Sequence, residues 1–283
     1  GIAIVALAGT SFYYTNIRKE DTQFKAATST PKTELIYLYR EYGDVSFKNK
    51  SATTFTQVAD TKISIDNYAT VKTEDGRAYV IFPDNSSITL STSTEIEISY
   101  EPTKVSIMQI LGSTYHRVTS LATGNKYEIR TPNTLAAIRG TKLAVSYNPK
   151  TKRTFVAVTE HRVEVNPIKE DGTVGQAPVM VQEGSLADIL SSTTTPKTGT
   201  SSSPLGSKMI IRSHEEVKDI KPFLDENKVL DKEFNKAPRD EQRQLLEKII
   251  NALHNEKQQS PDSTGGVPQK KESRADIITR IIK

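Results

Sequence analysis

Four histidines, two aspartates that bracket one apolar run, and an arginine set among small residues are the side chains whose chemistry has to be weighed first. His116, His161, His214 and His254 fall in four different stretches. None has the close pairwise spacing that aims two imidazoles at one metal ion, so they read as surface or loop histidines. Asp75 and Asp84 bracket Ala78 to Phe82 and could be imagined as paired carboxylates or as calcium ligands. Their Asp-Gly and Pro-Asp-Asn contexts mark them instead as turn residues, and no calcium-loop motif surrounds them. No serine sits in a nucleophile elbow and no glycine-rich loop is shaped to cradle phosphate. The chain has no cysteine, which excludes thiol nucleophiles, zinc–thiolate sites and disulfides. Arg139, between Ile138 and Gly140, is expected to be half buried, tying neighbouring strands through a carboxylate or carbonyls; contact with a ligand is the other reading. The residues predict no enzyme, no metal site and no cofactor.

The elements that would position these groups are short and extended. The 283-residue chain is 35% hydrophobic with a mean hydropathy of −0.49. That is polar for one compact globule of this length, so part of the chain reads as linker or tail. From Leu35 to Val165, strand-forming runs recur about every 7 to 10 residues with Asp, Asn, Ser, Gly or Pro between them, the spacing of an all-β domain. Ile96-Glu97-Ile98 and Ser87-Ile88-Thr89-Leu90 alternate with the two-residue period of half-buried strands. Tyr127 to Val145, YEIRTPNTLAAIRGTKLAV, holds three strand-like pieces. They break at Pro132, which has no amide hydrogen for a ladder, and at Gly140, which permits a turn or close approach. Asn133 suits the left-handed region of a tight turn, and the spacing is unlike a hairpin meander. Strands this brief predict a mainly β fold of irregularly stacked coils, a twisted β-solenoid, over 35–190. A β-sandwich or barrel is the alternative.

On either side the composition changes. Residues 1–17 open with continuous apolar sequence and run into Phe12, Tyr13 and Tyr14. They read as part of a transmembrane anchor or a signal segment, with 18–34 as a polar spacer. Residues 191–207, SSTTTPKTGTSSSPLGS, and 258–272 read as disordered linkers. Between them, 208–257 carries a helical period, with a capping box at Ser213 and Glu216 and a restart at Pro222. Leu245, Leu246, Ile249, Ile250 and Leu253 share one face of an αα-hairpin, and Ile277 and Ile281 mark a short amphipathic helix over 273–283. So small a hairpin has to dock on something, which makes these seven residues candidates for partner binding. The net charge of +4, spread over interspersed acids and bases without tryptophan, argues against nucleic acid.

Glu128-Ile129-Arg130-Thr131-Pro132, followed by Ala136-Ala137-Ile138-Arg139-Gly140-Thr141, resembles the signature of the FecR domain. Upstream, Gly43-Asp44-Val45, the run from Asp75 to Leu90, and Gln109 to Ser113 fit the same family in its order, from about Leu35 to Val165. Asn85 stands where glycine is usual, a mild departure because asparagine also visits positive φ. The resemblance marks Gly43, Asp84, Gly112, Thr131, Pro132, Arg139, Gly140 and Thr141 as structural motif positions. It implies an extracytoplasmic protein, which with the apolar stretch at 1–17 reads as a single-pass, membrane-anchored chain lying mostly outside the cytoplasm. Such a protein would be a non-catalytic interaction or scaffold module of the envelope, binding protein or cell-wall polymer through exposed β-edges and its helical tail. The alternative is a transmembrane signalling regulator of the sigma-factor type, whose cytoplasmic segment would precede Gly1.

Overall fold

The computed structural model describes residues 35–119, 124–169, 171–175, 177–191, 208–238, 241–258 and 274–282. The anchor or signal segment expected at 1–17, the spacer at 18–34 and nearly all of the linkers at 191–207 and 258–272 lie outside the described residues.

Short alternating runs become short strands. In order they are β1 (Ile36–Tyr42), β2 (Val45–Lys48), β3 (Thr56–Gln57), β4 (Lys62–Ile65), β5 (Thr70–Thr73), β6 (Arg77–Ile81) and β7 (Ser87–Leu90). There follow β8 (Thr94–Glu101), β9 (Lys104–Arg117), β10 (Lys126–Thr131), β11 (Thr134–Ile138) and β12 (Lys142–Asn148). The last are β13 (Arg153–Glu160), β14 (Arg162–Pro167), β15 (Val179–Gln182), β16 (Ser185–Leu190) and β17 (Lys208–Ser213).

These strands are shared between two sheets. One runs β4-β1-β6-β7-β9-β12-β13-β16-β17 and is antiparallel throughout. The other runs β3-β2-β5-β8-β9-β10-β11-β14-β15 and is antiparallel except where β9 meets β10. Apart from the first pair in each, both orders climb with the chain, and neither sheet closes on itself. The mainly β expectation holds. One continuous apolar core lies between the sheets, with Leu38, Val80, Ile88, Val145 and Val156 from the first and Val71, Ile96, Ile107, Ile129 and Val165 from the second.

β9 is the strand common to both sheets. Its first half pairs with β8 and β10, and its second half with β7 and β12. The crossing point is Gly112, at φ +87°, where an added Cβ would lie 2.4 Å from the Ser93 carbonyl oxygen and 2.5 Å from Thr94 Cα. No other residue fits without moving backbone.

The motif stretch corrects one expectation. β10 and β11 form a tight antiparallel hairpin, Tyr127 opposite Ile138 through Thr131 opposite Thr134, with Pro132 and Asn133 as its two-residue turn. Asn133 is not left-handed. Its buried side chain instead accepts hydrogen bonds from Thr131 Oγ1 (3.0 Å), Thr134 Oγ1 (3.1 Å) and Thr154 Oγ1 (2.5 Å) and donates to the Lys152 carbonyl at 2.9 Å. It thereby ties the turn of one sheet to β13 and its turn in the other. Asn85 does adopt positive φ, at 67°.

Past the linker the chain first adds β17 to the sheet edge, where a helical start was expected, and only then turns helical. A 3₁₀ turn at His214–Glu216, whose Glu215 amide is capped by the Ser213 hydroxyl at 3.3 Å, leads to α1 (Lys221–Phe234), α2 (Gln242–Gln258) and α3 (Arg274–Ile282). Leu230, Phe234, Leu246, Ile249, Ile250, Leu253 and Ile278 pack on Tyr39, Tyr79 and Ile81, while Ile220, Phe223 and Leu224 pack on Tyr115, Phe155 and Leu186. The helices thus form a third layer on the outer face of the first sheet, the helix-side sheet. The other, open sheet carries no helix among the described residues. No helix of the described residues is long and apolar enough to cross a membrane.

That packing accounts for every residue expected to bind a partner. Leu246, Ile249, Ile250 and Leu253 are buried against the chain's own sheet, and Leu245, Ile277 and Ile281 are partly buried beside them. Burying a Leu or Ile side chain contributes about 1.5–3 kcal/mol, which is why so small a helical segment is not left standing free.

Candidate functional site

Three of the four histidines are inside the protein, a correction to the surface reading. His116 is fully buried between the sheets, and its hydrogen bonds form a directional chain. Thr114 donates its one hydroxyl proton to Gln109 Oε1 (2.7 Å), so its oxygen accepts from His116 Nε2 (2.8 Å), and His116 Nδ1 accepts from the Tyr127 hydroxyl (2.9 Å). Gln109 in turn donates to the Gly112 and Val145 carbonyls at 2.7 and 3.1 Å. Burial, aided by the neighbouring charge of Arg117, lowers the His116 pKa to about 3, and burial pushes the Tyr127 hydroxyl well up. Both groups are neutral, a polar brace across the core. His254 Nδ1 lies 3.0 Å from the Glu41 carbonyl oxygen under α2, and His214 is buried at the start of the helical layer, where desolvation lowers its pKa. His161 is exposed. No three His, Asp or Glu side chains among the described residues are grouped to hold a metal ion. Asp75 accepts from the Asp44 amide (2.9 Å), joining the β5–β6 turn to the β1–β2 turn, and Asp84 accepts from the Ser86 amide (2.9 Å) and hydroxyl (3.0 Å) within its own turn.

Two ionic clusters sit beneath the helices. Arg117, 3% exposed, donates to Asp231 (2.6 Å), Thr89 (3.0 Å) and Asn227 (2.9 Å), and Tyr115 donates to the other Asp231 oxygen. Farther along the sheet, Arg274 grips Glu41 with two bonds of 3.0 and 2.9 Å, Tyr79 donates to Glu41 at 2.5 Å, and Arg77 holds Glu226 at 2.7 Å. Burial, the largest single influence, would raise the Glu41 carboxyl, but Arg274, Arg77 and the Tyr79 hydroxyl together hold the group below its usual range. These groups fasten α1 and α3 to the sheet.

The accessible site is elsewhere. A groove of about 1040 Å³ opens at one end of the stack, where β10 begins, β11 ends, and the β13–β14 turn and the C-terminal end of α1 come together. Its apolar lining includes Val118, Ala137, Ile138 and Met180, the last 46% exposed. Lys142 bridges from the sheet wall to the helix, paired with Glu160 at 2.7 Å and donating to Asn235. His161 Nδ1 lies 2.9 Å from the Gly140 carbonyl oxygen, and Thr141 donates to the Arg162 carbonyl at 3.3 Å.

Arg139 lies in this groove and is not the buried tie expected. Gly140, at φ +68°, turns the chain from one sheet towards the other and leaves Arg139 exposed beside the turn. Its side chain forms no hydrogen bond or ion pair among the described residues, and the same is true of Lys126 and Arg162, both exposed. Two of the groove's carboxylates are ion-paired, Glu160 with Lys142 and Glu128 with Lys104 at 3.4 Å, and Glu164 accepts from the neutral Asn166 side-chain amide at 3.3 Å. Of the motif positions, Gly140 and Thr141 border the groove beside Arg139. Thr131 and Pro132 lie at the far end of the hairpin, Gly112 at the strand crossing, and Gly43 and Asp84 in turns. Lys126 and Arg162 carry no local signal in the sequence. Only the register assembles them, since Tyr127 pairs with Ile138 and Ala137 with Glu164.

Residues 69–164 match the family described as FecR protein, a span that runs from β5 to β14 and includes Lys126, Arg139 and Arg162. Among solved structures, two crystal structures of a putative anti-sigma factor from Parabacteroides distasonis ATCC 8503, at 2.50 and 1.65 Å resolution, are similar to the chain. Each shows 12% identity and a TM-score of 0.40, over 51% of this chain and 59% of that one. The match therefore spans less than two thirds of those proteins' length. No curated protein matches the chain.

Proposed function

We propose that the protein is a non-catalytic regulator in a signalling relay, with the β stack serving as its protein-binding module. The observation that carries this reading is the FecR match over 69–164, which takes in both the groove's cationic wall and the strand that joins the two sheets. The chemistry agrees with it. The fixed ion pairs lie beneath the helices as fasteners, whereas the accessible end holds unpaired cations over an apolar floor, which suits recognition of a partner. The expected placement goes with this proposal: a single N-terminal membrane pass and a β domain outside the cytoplasm.

Transcript profiling of a strain lacking the protein tests the regulatory role. A narrow set of transcripts should change several-fold and recover when the full chain is restored. An unchanged profile, together with altered envelope integrity, would replace the regulator with the envelope scaffold. A reporter enzyme active only outside the cytoplasm, fused after Lys283, tests the placement and should be active.

A further inference from the structure

We infer that the groove at the Arg139 end of the stack binds an extended, acidic segment of a partner polypeptide. This rests on the reading above that the module binds protein, and adds the chemistry of what it binds.

The observation is a row of positive charge drawn across the open sheet. Lys104 and Lys126 are direct neighbours in the parallel pairing of β9 with β10. One step past Tyr127 opposite Ile138, Lys126 reaches Arg139, and the pairing of β11 with β14 brings Arg162 to the same end. Neighbouring strands are about 4.8 Å apart, so the four cations form a ladder rather than a cluster around one point. A ladder fits a chain of negative charges better than a single small anion. Lys104 is already partnered by Glu128 at 3.4 Å. Lys126, Arg139 and Arg162 are exposed and unpaired among the described residues, while Glu128 and Glu160 are each paired with a lysine and Glu164 accepts only from the neutral Asn166 side chain. Glu164 offsets one of the three charges, so the site keeps a net charge of about +2, which attracts and orients an acidic partner.

Two further features favour polypeptide over a mineral or sugar anion. The volume of about 1040 Å³ is at the upper limit of pockets that enclose a small ligand. Beside the cations lie Ala137 and the half-exposed Met180, apolar surface that a bare phosphate chain would leave uncovered. Met in particular adapts to varied apolar side chains. The expected partner motif is acidic residues flanking one or two apolar side chains.

The test uses the full chain and a fluorescein-labelled decapeptide of glutamate interrupted by two leucines, read by fluorescence anisotropy at low and at physiological salt. Binding should weaken about ten-fold or more in the triple variant Lys126→Glu, Arg139→Glu, Arg162→Glu. It should change less than two-fold in Lys150→Glu, a charge reversal on the exposed β12–β13 turn. All four side chains are exposed, so an unchanged melting temperature will show that the fold is intact. Absence of peptide binding, or equal loss in Lys150→Glu, overturns the assignment. So does equal or tighter binding of polyphosphate of the same charge, which would point to a phosphate polymer. If the triple variant still restores the transcript profile of the deletion strain, the groove assignment fails while the regulatory role stands.

Discussion

The outer faces of the two sheets use arginine in opposite ways. On the helix-side sheet, Arg77 and Arg117 are covered by helices, each joined to a carboxylate at 2.7 Å or less. At the edge of the open sheet, Arg139 and Arg162 are exposed and unpaired. The local sequences give no hint of this, since each arginine sits at or beside the end of a strand. What differs is the layer above. A cation under a helix must be paired, because an uncompensated buried charge costs several kcal/mol. A cation in water need not be, and so remains available. Function, on this view, is to be sought where pairing is incomplete and solvent is close.

The strongest way to break that contrast is to remove a buried partner. Asp231→Ala leaves Arg117 without its carboxylate and Tyr115 without an acceptor, and should cost about 3–5 kcal/mol, read as a lower urea midpoint. A loss no larger than that from an exposed substitution would mean the cluster is not the fastener described. A smaller but still large effect should come from Ile250→Ala. Its side chain is fully buried in the helix–sheet layer, and truncation should cost about 2–5 kcal/mol. If the helical layer docks loosely, the cost falls well below that, and hydrogen exchange of α2 will be fast.

The core between the sheets sharpens the contrast, because there the protein holds a polar group uncharged rather than pairing it. His116 titrates near 3 in the folded protein against an ordinary 6.5. Above pH 6.5 it is neutral in both folded and unfolded chains. As pH falls from 6.5 towards 3 only the unfolded chain takes up the proton, so stability is lost at about 1.4 kcal/mol per pH unit. His116→Gln should flatten the pH dependence of unfolding between pH 6.5 and 5 by about one proton. An unchanged slope would mean that His116 is already charged in the folded state.

Much of the β stack was legible in the residues. Period-two runs such as Ser87–Leu90 and Lys62–Ile65 fall where strands form, and punctuation by Pro132, Asn85 and Gly112 marks real turns and the crossing. The rest depended on facts that no local window contains. Lys208–Ser213 follows a linker and precedes a capping signal, so only its pairing with β16 makes it a strand. The apolar faces of α2 and α3 were plain, but the sequence does not say that Tyr39, Tyr79 and Ile81 wait opposite them. Arg139 was singled out for the right location and the wrong environment: small neighbours suggested burial, whereas the Gly140 turn leaves it in solvent. Lys126 and Arg162 were invisible, because the row they share exists only once the strands are in register.

The smallest expected effect is the most discriminating. Paired replacement of Arg139 and Arg162 by alanine removes two cations with no described partner, and surface changes away from packed or paired features barely alter stability. The melting temperature should therefore stay within about 2 °C of the parent, while the salt dependence of acidic-peptide binding becomes shallower, since fewer charges remain to be screened. A large drop in melting temperature would return Arg139 to the structural role its neighbours suggest, and would erase the difference between the two faces. A stable variant with a flattened salt response would mean that the same residue type fastens one side of the molecule and recognises a partner on the other.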